Sequence, residues 1–208
     1  MVVKKTRMTG VQRREQLVRI GRALFAERGF DAASVEELAA RAEVSKPVIY
    51  EHFGGKEGLY AVIVDREVTL LTSTITEALQ SSGSPRELVE NTALSFLTYI
   101  ETNTDGFRIL LRDTPSGDEF YGTFSSLLGD VANQLEPLLA DHFARVDLDT
   151  GLAPMYAQML VGLISLCGQW WLSEREPSKE QVATNIVNLC WNGLKNLEHT
   201  PELVTVTL

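Results

Sequence analysis

The chain of 208 residues is 44% hydrophobic and 23% charged, which excludes a disordered protein and suits one or two small globular domains. Its two cysteines, Cys167 and Cys190, and its three scattered histidines exclude a disulfide scaffold and a metal site of closely spaced ligands, and fit a reducing cytoplasm. The net charge of −9 is uneven: residues 1–60 hold 11 basic and 8 acidic residues, and residues 61–208 hold 8 basic and 20 acidic, so a basic head that suits an anionic partner precedes an acidic body.

The N-terminal stretch MVVKKTRMTG is basic, and no apolar core of signal-peptide length follows it. Helix-start signals then recur along the chain. Ser or Thr followed three residues later by Glu or Gln occurs at Thr9/Gln12, Ser34/Glu37, Ser84/Glu87, Ser116/Glu119 and Ser178/Gln181. The first leads into a helix with Leu17, Ile20, Leu24 and Phe25 on one face, ending near Gly29. A second helix starts at Ser34 and carries Val35, Leu38, Ala39 and Ala42. A third spans about 46–52, and a long helix over 56–79 follows the Gly54-Gly55 break. Further helices are predicted at about 85–103, 106–112, 117–145, 151–174 and 178–198. The most apolar stretch, Met159–Leu172, falls short of the ~18 residues of a membrane span and reads as a buried helix, so no membrane partner is expected. Val204, Thr205 and Val206 have some strand propensity but no partner run, so the fold class is all-α. The expected division is a head over 1–55 and a body over 56–208.

Residues 34–56, SVEELAARAEVSKPVIYEHFGGK, place two short helices around a tight Glu43-Val44-Ser45 turn. The first packs through Leu38, Ala39 and Ala42 and the second through Val44, Ile49 and Phe53, with small Ala39 where the helices cross. That is the pattern of a helix-turn-helix, whose second helix lies in a DNA major groove. Off the core stand Lys46, Pro47, Val48, Tyr50, Glu51 and His52. Ser45 can cap the second helix, and Lys46 can reach a guanine edge or a phosphate. Val48 and the Pro47 ring can meet a thymine methyl, while Tyr50, His52 and Lys56 can contact phosphates. Lys4, Lys5, Arg7, Arg13 and Arg14 can extend the phosphate track. The same spacing also fits a small helical domain with exposed lysines and no DNA function.

Over about residues 11–64 the sequence resembles the N-terminal domain of the tetracycline-repressor (TetR/AcrR) family of bacterial regulators. The resemblance rests on Leu24-Phe25-Ala26, Gly29-Phe30, Ser34-Val35, Val44-Ser45-Lys46, Tyr50-x-His52-Phe53 and Lys56-Glu57-x-Leu59. It implies a two-domain, all-helical homodimer whose first three helices bind palindromic double-stranded operator DNA and whose remaining helices form an effector pocket and the dimer interface. Carried over residue by residue, the DNA-contact candidates are Ser34, Ser45, Lys46, Val48, Tyr50, His52 and Lys56. Two positions depart from the family pattern: Glu43 stands where Gly is frequent in the turn, and Pro47 replaces a small residue.

In the body, the last two helices are apolar on more than one face and need two partners. One partner is the subunit core and the other a second copy of the pair, with Leu166, Trp191 and Leu194 as interface candidates. The middle helices supply Phe96, Tyr99, Ile100, Phe107, Leu111, Phe120, Phe124 and Leu128, and with Met159 and Trp170 these are candidates for the wall of a pocket for a small lipophilic effector. Plain core packing explains the same aromatics. No cofactor is implied.

Enzyme readings fare poorly. Neither a Gly-x-Ser-x-Gly nucleophile elbow nor a His-Glu-x-x-His zinc helix is present. Gly55-Lys56 ends like a phosphate loop, but Tyr50 stands where its first glycine belongs and no strand precedes it. The expected function is a ligand-responsive transcriptional regulator, most simply a repressor. A helical small-molecule-binding module without DNA function is the alternative, separable by DNA mobility shift.

Overall fold

The computed structural model describes residues 8–112, 123–199 and 201. Among these residues there are nine α-helices and no strand: α1 Gly10–Arg28, α2 Val35–Arg41, α3 Lys46–Phe53, α4 Lys56–Leu79, α5 Pro85–Thr102, α6 Thr104–Leu111, α7 Thr123–Arg145, α8 Ala153–Glu174 and α9 Lys179–Lys195. The predicted all-α class and its helix order hold. The Ser116/Glu119 box, Phe120, the N-terminal basic cluster and the 204–206 run lie outside the described residues.

Local chemistry explains where the helices start. At Thr9/Gln12 and Ser178/Gln181 the side chain and backbone exchange hydrogen bonds in both directions, each satisfying an orphan donor of the first turn. Ser84 and Glu87 do the same ahead of α5. The Ser34 hydroxyl accepts from the Glu37 amide at 3.1 Å. Because it accepts from the Ser84 amide and lies beside the Ser84 hydroxyl, the Glu87 carboxyl is held below the usual carboxylate range.

The chain forms two compact units. One comprises residues up to Leu70 together with Asn103–Phe124, and the other Leu71–Thr102 with Ser125 onward. Helix α4 contributes to both, and the first unit recruits α6, far beyond residue 55. The core of the first unit gathers Leu17, Leu24, Phe25, Leu38, Ile49, Leu59, Ile63 and Phe107, each at most 1% exposed. In the second, α5 packs chiefly against α9 and α8, around Leu71, Leu97, Ile100, Phe143 and Ala157. Both cysteines are free thiols, and burial pushes each thiol pKa up.

Taken with the turn before it, α8 spans Thr150–Glu174, long and apolar enough by length and composition to cross a membrane, which the shorter Met159–Leu172 window did not suggest. Yet one face, with Ala153, Ala157, Leu160, Val161, Ser165, Gly168, Trp171 and Leu172, is buried in its unit. The expectation of a buried helix holds for that face only: Met155, Met159, Leu166 and Trp170 are exposed. Gly168 sits tightly against α5, where a Cβ would lie 2.4 Å from the Phe96 ring, whereas Gly162 and Gly193 face open space.

The junction of α3 and α4 is tightly closed. Gly54 ends α3 in the left-handed region at φ 74°, and a Cβ on Gly58 would lie 1.9 Å from the Phe53 carbonyl oxygen. Backbone cannot yield as a side-chain tip can. We therefore expect Gly58→Ala to lose about 1–3 kcal/mol of stability in denaturant unfolding, as overpacked sites do. Gly10→Ala, which meets nothing within 4 Å, should be neutral or mildly stabilising. Equal stability of the Gly58→Ala and wild-type proteins would contradict the tight junction.

Candidate functional site

The α2–α3 pair forms the predicted helix-turn-helix. The Val44 amide donates to the Ala39 carbonyl at 3.0 Å, closing the turn. Glu43 adopts φ 52°, the left-handed conformation for which glycine is the usual residue, so its departure from the family pattern falls on a strained position. Pro47 lies in the first turn of α3, where its missing N–H leaves no ladder bond unmade.

Ile49 anchors α3 in the core, fully buried. Ser45, Lys46, Pro47 and Tyr50 are exposed, with Tyr50 at 54%, and Val48 and His52 are half-buried. The structure thus brings these six residues onto one helix, accessible together. Three expected roles change in detail. Ser45 occupies the N-cap, but its side chain makes no capping hydrogen bond. The Lys46 ammonium pairs with Glu36 on α2, which holds the Glu36 carboxyl below its usual pKa range. The Lys56 ammonium donates to the Phe30 carbonyl at 3.0 Å and lies 4.2 Å from the Phe30 ring centroid, so it is already engaged in the fold.

Arg14, placed in the phosphate track by sequence, instead fixes the end of α3. Its Nη1 donates to the His52 carbonyl at 2.7 Å, and its guanidinium lies 4.4 Å from the Phe53 ring centroid. Arg13 donates to Gln16 at 2.5 Å. Phe25, Phe30 and Tyr60 pack edge-on and tilted with centroids 4.8 to 6.1 Å apart, holding α4 to α1.

The second unit contains a cavity of about 250 Å³. Leu79, Leu88, Val89, Leu135, Leu138, Leu139, Leu160, Ile164, Trp191 and Leu194 form its apolar wall, and Asp141, His142 and Arg145 stand at the end of α7. A smaller chamber of about 50 Å³ holds Phe96 and Leu128 in its wall. Of the other pocket candidates, Tyr99 and Ile100 are buried core of the second unit, and Phe107 is buried in the first unit, with its ring 5.6 Å from that of Phe124. Leu111 also belongs to the first unit. The structure exchanges two pairs of expected residues. Met159 and Trp170, expected in the pocket, are 55% and 52% exposed on the outer face of α8, while Trp191 and Leu194, expected at an interface, line the cavity. Leu166 is 65% exposed, as an interface residue must be in a lone subunit. Among the described residues no group of three or more His, Cys, Asp or Glu is placed to hold a metal ion.

A helix-turn-helix with an accessible second helix, together with a helical body that carries an apolar cavity, defines a helix-turn-helix transcriptional regulator. The tetR family model of bacterial regulatory proteins matches residues 17–63, and a tetracyclin repressor-like C-terminal domain model matches residues 74–204. The chain is 30% identical over 194 residues to the HTH-type transcriptional activator FasR of Mycolicibacterium smegmatis, covering 91% of this chain and 86% of that protein. In fold it is similar to a TetR-like transcriptional regulator from Rhodococcus sp. RHA1, with TM-score 0.76 and 24% identity over 92% of this chain and all of the other. It is similar also to AibR in complex with isovaleryl coenzyme A and operator DNA, with TM-score 0.68 and 17% identity over 85% of this chain and 97% of the other. The chain belongs to the TetR family of transcriptional regulators and is not an enzyme.

The Glu36–Lys46 pair sets a test. Glu36→Gln frees the lysine and removes a negative charge beside the reading helix. DNA binding by fluorescence anisotropy should tighten by up to about fivefold, the range of one exposed ion pair. Unchanged affinity in Glu36→Gln, with Lys46→Ala also silent, would remove Lys46 from the DNA-contact surface.

Proposed function

We propose that the protein is a homodimeric regulator that represses from a palindromic operator and is released by a small lipophilic effector. The observation that carries this reading is the pairing of an accessible α3 with an apolar cavity of about 250 Å³ in the other unit. Lys46, Pro47, Val48 and Tyr50 read or position the operator, with Ser34, Ser45 and His52 at its edges and Lys56 contributing charge from its Phe30 seat. The working compartment is the cytoplasm, where the operator lies. A relative in fold captured with both an acyl coenzyme A and operator DNA supports an effector of acyl type.

Helix α4 links ligand to DNA in this account. Leu59 and Tyr60 in its first half belong to the core of the first unit, and Leu71, Ile75 and Leu79 in its second half border the cavities of the other. An effector that binds one disposition of this helix more tightly than another shifts the population available to DNA. The cavity wall carries Trp191, which reports occupancy by fluorescence.

The outer faces of α8 and α9 supply the dimer contact. Met155, Met159, Leu166, Trp170 and Leu189 are large apolar side chains left exposed, and Gly162 and Gly193 leave open space beside them. A two-fold axis would bury this face against its copy as a four-helix contact. Activation is the second reading, favoured by the relative named a transcriptional activator. Transcription from a reporter carrying the selected operator, with and without the protein, decides between them.

Sedimentation should show a dimer at micromolar concentration, and Leu166→Glu should yield a folded monomer with operator binding lost. DNA selected from random sequence should be palindromic, with half-sites about 34–36 Å apart or multiples of that spacing. A monomeric wild type, or a selected site without symmetry, would overturn the arrangement.

A further inference from the structure

We propose that Thr92 reads an oxygen carried on the chain of the effector, so that the preferred ligand is an oxygenated acyl chain rather than a plain one. The inference rests on the reading of the cavity as the effector site. Thr92 on α5 is 8% exposed, and among the described residues its hydroxyl has no hydrogen-bond partner. Other helical threonines in the same unit do otherwise: Thr102 and Thr184 donate one turn back, to Thr98 and Glu180, at 2.8 and 2.7 Å. An unpaired buried hydroxyl is unfavourable, and valine would fill the same space without one.

The position of Thr92 says what the partner is. The main cavity and the smaller chamber share the wall formed by Leu79, Thr92, Leu135 and Ile164. Thr92 therefore stands where the two meet. The other hydroxyl in the small chamber, Ser165, already donates to the Gly162 carbonyl at 3.0 Å. Every other group bordering that chamber is aliphatic or aromatic, so a hydrocarbon end fits it and Thr92 meets whatever lies just before that end.

The polar groups of the main cavity lie at its other end. Asp141, His142 and Arg145 are on α7, and a third cavity of about 180 Å³ shares His142, Trp191 and Leu194 with the main one and adds Lys195 and His199. Two cations and two histidines against one carboxylate suit an anionic head. From Leu135, beside Thr92, to Arg145 the α7 axis rises about 15 Å at the helical rise per residue. The oxygen that meets Thr92 is therefore far down the chain from the head, not adjacent to it.

The test compares tetradecanoate, 12-hydroxytetradecanoate and 2-hydroxytetradecanoate, each as free acid and as coenzyme A thioester. Binding is read by calorimetry and tryptophan fluorescence on wild type, Thr92→Val and Thr92→Ser, with thermal melts confirming that both variants fold. Wild type should prefer the 12-hydroxy chain about five- to tenfold over the other two, the gain of one buried hydrogen bond. Thr92→Val should lose that preference while still binding the plain chain, and Thr92→Ser should keep it. Binding without preference in wild type, or a preference that survives in Thr92→Val, refutes the role of Thr92 and leaves the lipophilic-effector reading standing. Failure of all six compounds to bind wild type overturns both.

Discussion

An ion pair with a buried carboxylate and a part-buried guanidinium fixes the first unit. Glu67 on α4 is 5% exposed, and its Oε1 lies 3.0 Å from Arg22 Nε on α1, although that N–H is poorly aligned for a hydrogen bond. Arg22 Nη2 donates to Asn103 Oδ1 at 3.2 Å, reaching the segment that opens α6. No room remains around the carboxylate: a Cβ on Gly106 would stand 1.9 Å from Glu67 Oε2. Removing Arg22 would strand the buried Glu67 carboxylate, the costly direction for such a pair, whereas the part-exposed Arg22 can still reach water when Glu67 is removed. Arg112 adds a second tie, donating to the Phe25 carbonyl at 3.0 Å. Helices α1, α4 and α6 are thereby held as one body, and α2 and α3 are built on it. The helix-turn-helix thus rests on a unit completed by a helix from the middle of the chain.

Much of this was legible in the sequence, because the signals were local. The serine and threonine caps, the Gly54-Gly55 break and the 3.6-residue periodicity set the helix boundaries to within a few residues wherever the chain is described. The helix-turn-helix was legible because its spacing is short and its residues contiguous. What escaped was tertiary. Arg22 and Glu67 are charged residues in amphipathic helical text, where the ordinary reading is solvent exposure, and only the fold brings them together across 45 positions. The eight residues of α6 carry a clear apolar face but no mark of which helix it covers.

The exchange of Trp191 and Leu194 with Met159 and Trp170 has a similar cause. Helix α8 is apolar nearly all round, so its periodicity does not distinguish the face toward the core from the face toward a partner. Lys46 and Lys56 open α3 and α4, but a sequence does not show that Glu36 and Phe30 already engage them. Lys46 is thus already paired with an internal carboxylate, and it meets any anionic partner only by exchanging that pair.

In the proposed function, DNA and a ligand in the second unit bind the same protein with unequal preference for its conformations. Such coupling is reciprocal: whatever factor the ligand imposes on operator affinity, the operator imposes on ligand affinity. Calorimetric titration of the cavity ligand into free protein and into the operator complex tests it most directly. Ligand binding to the complex should be weaker, by a factor in the ~5–150-fold range and equal to the loss of operator affinity at saturating ligand. Identical ligand affinity in the two titrations would contradict it.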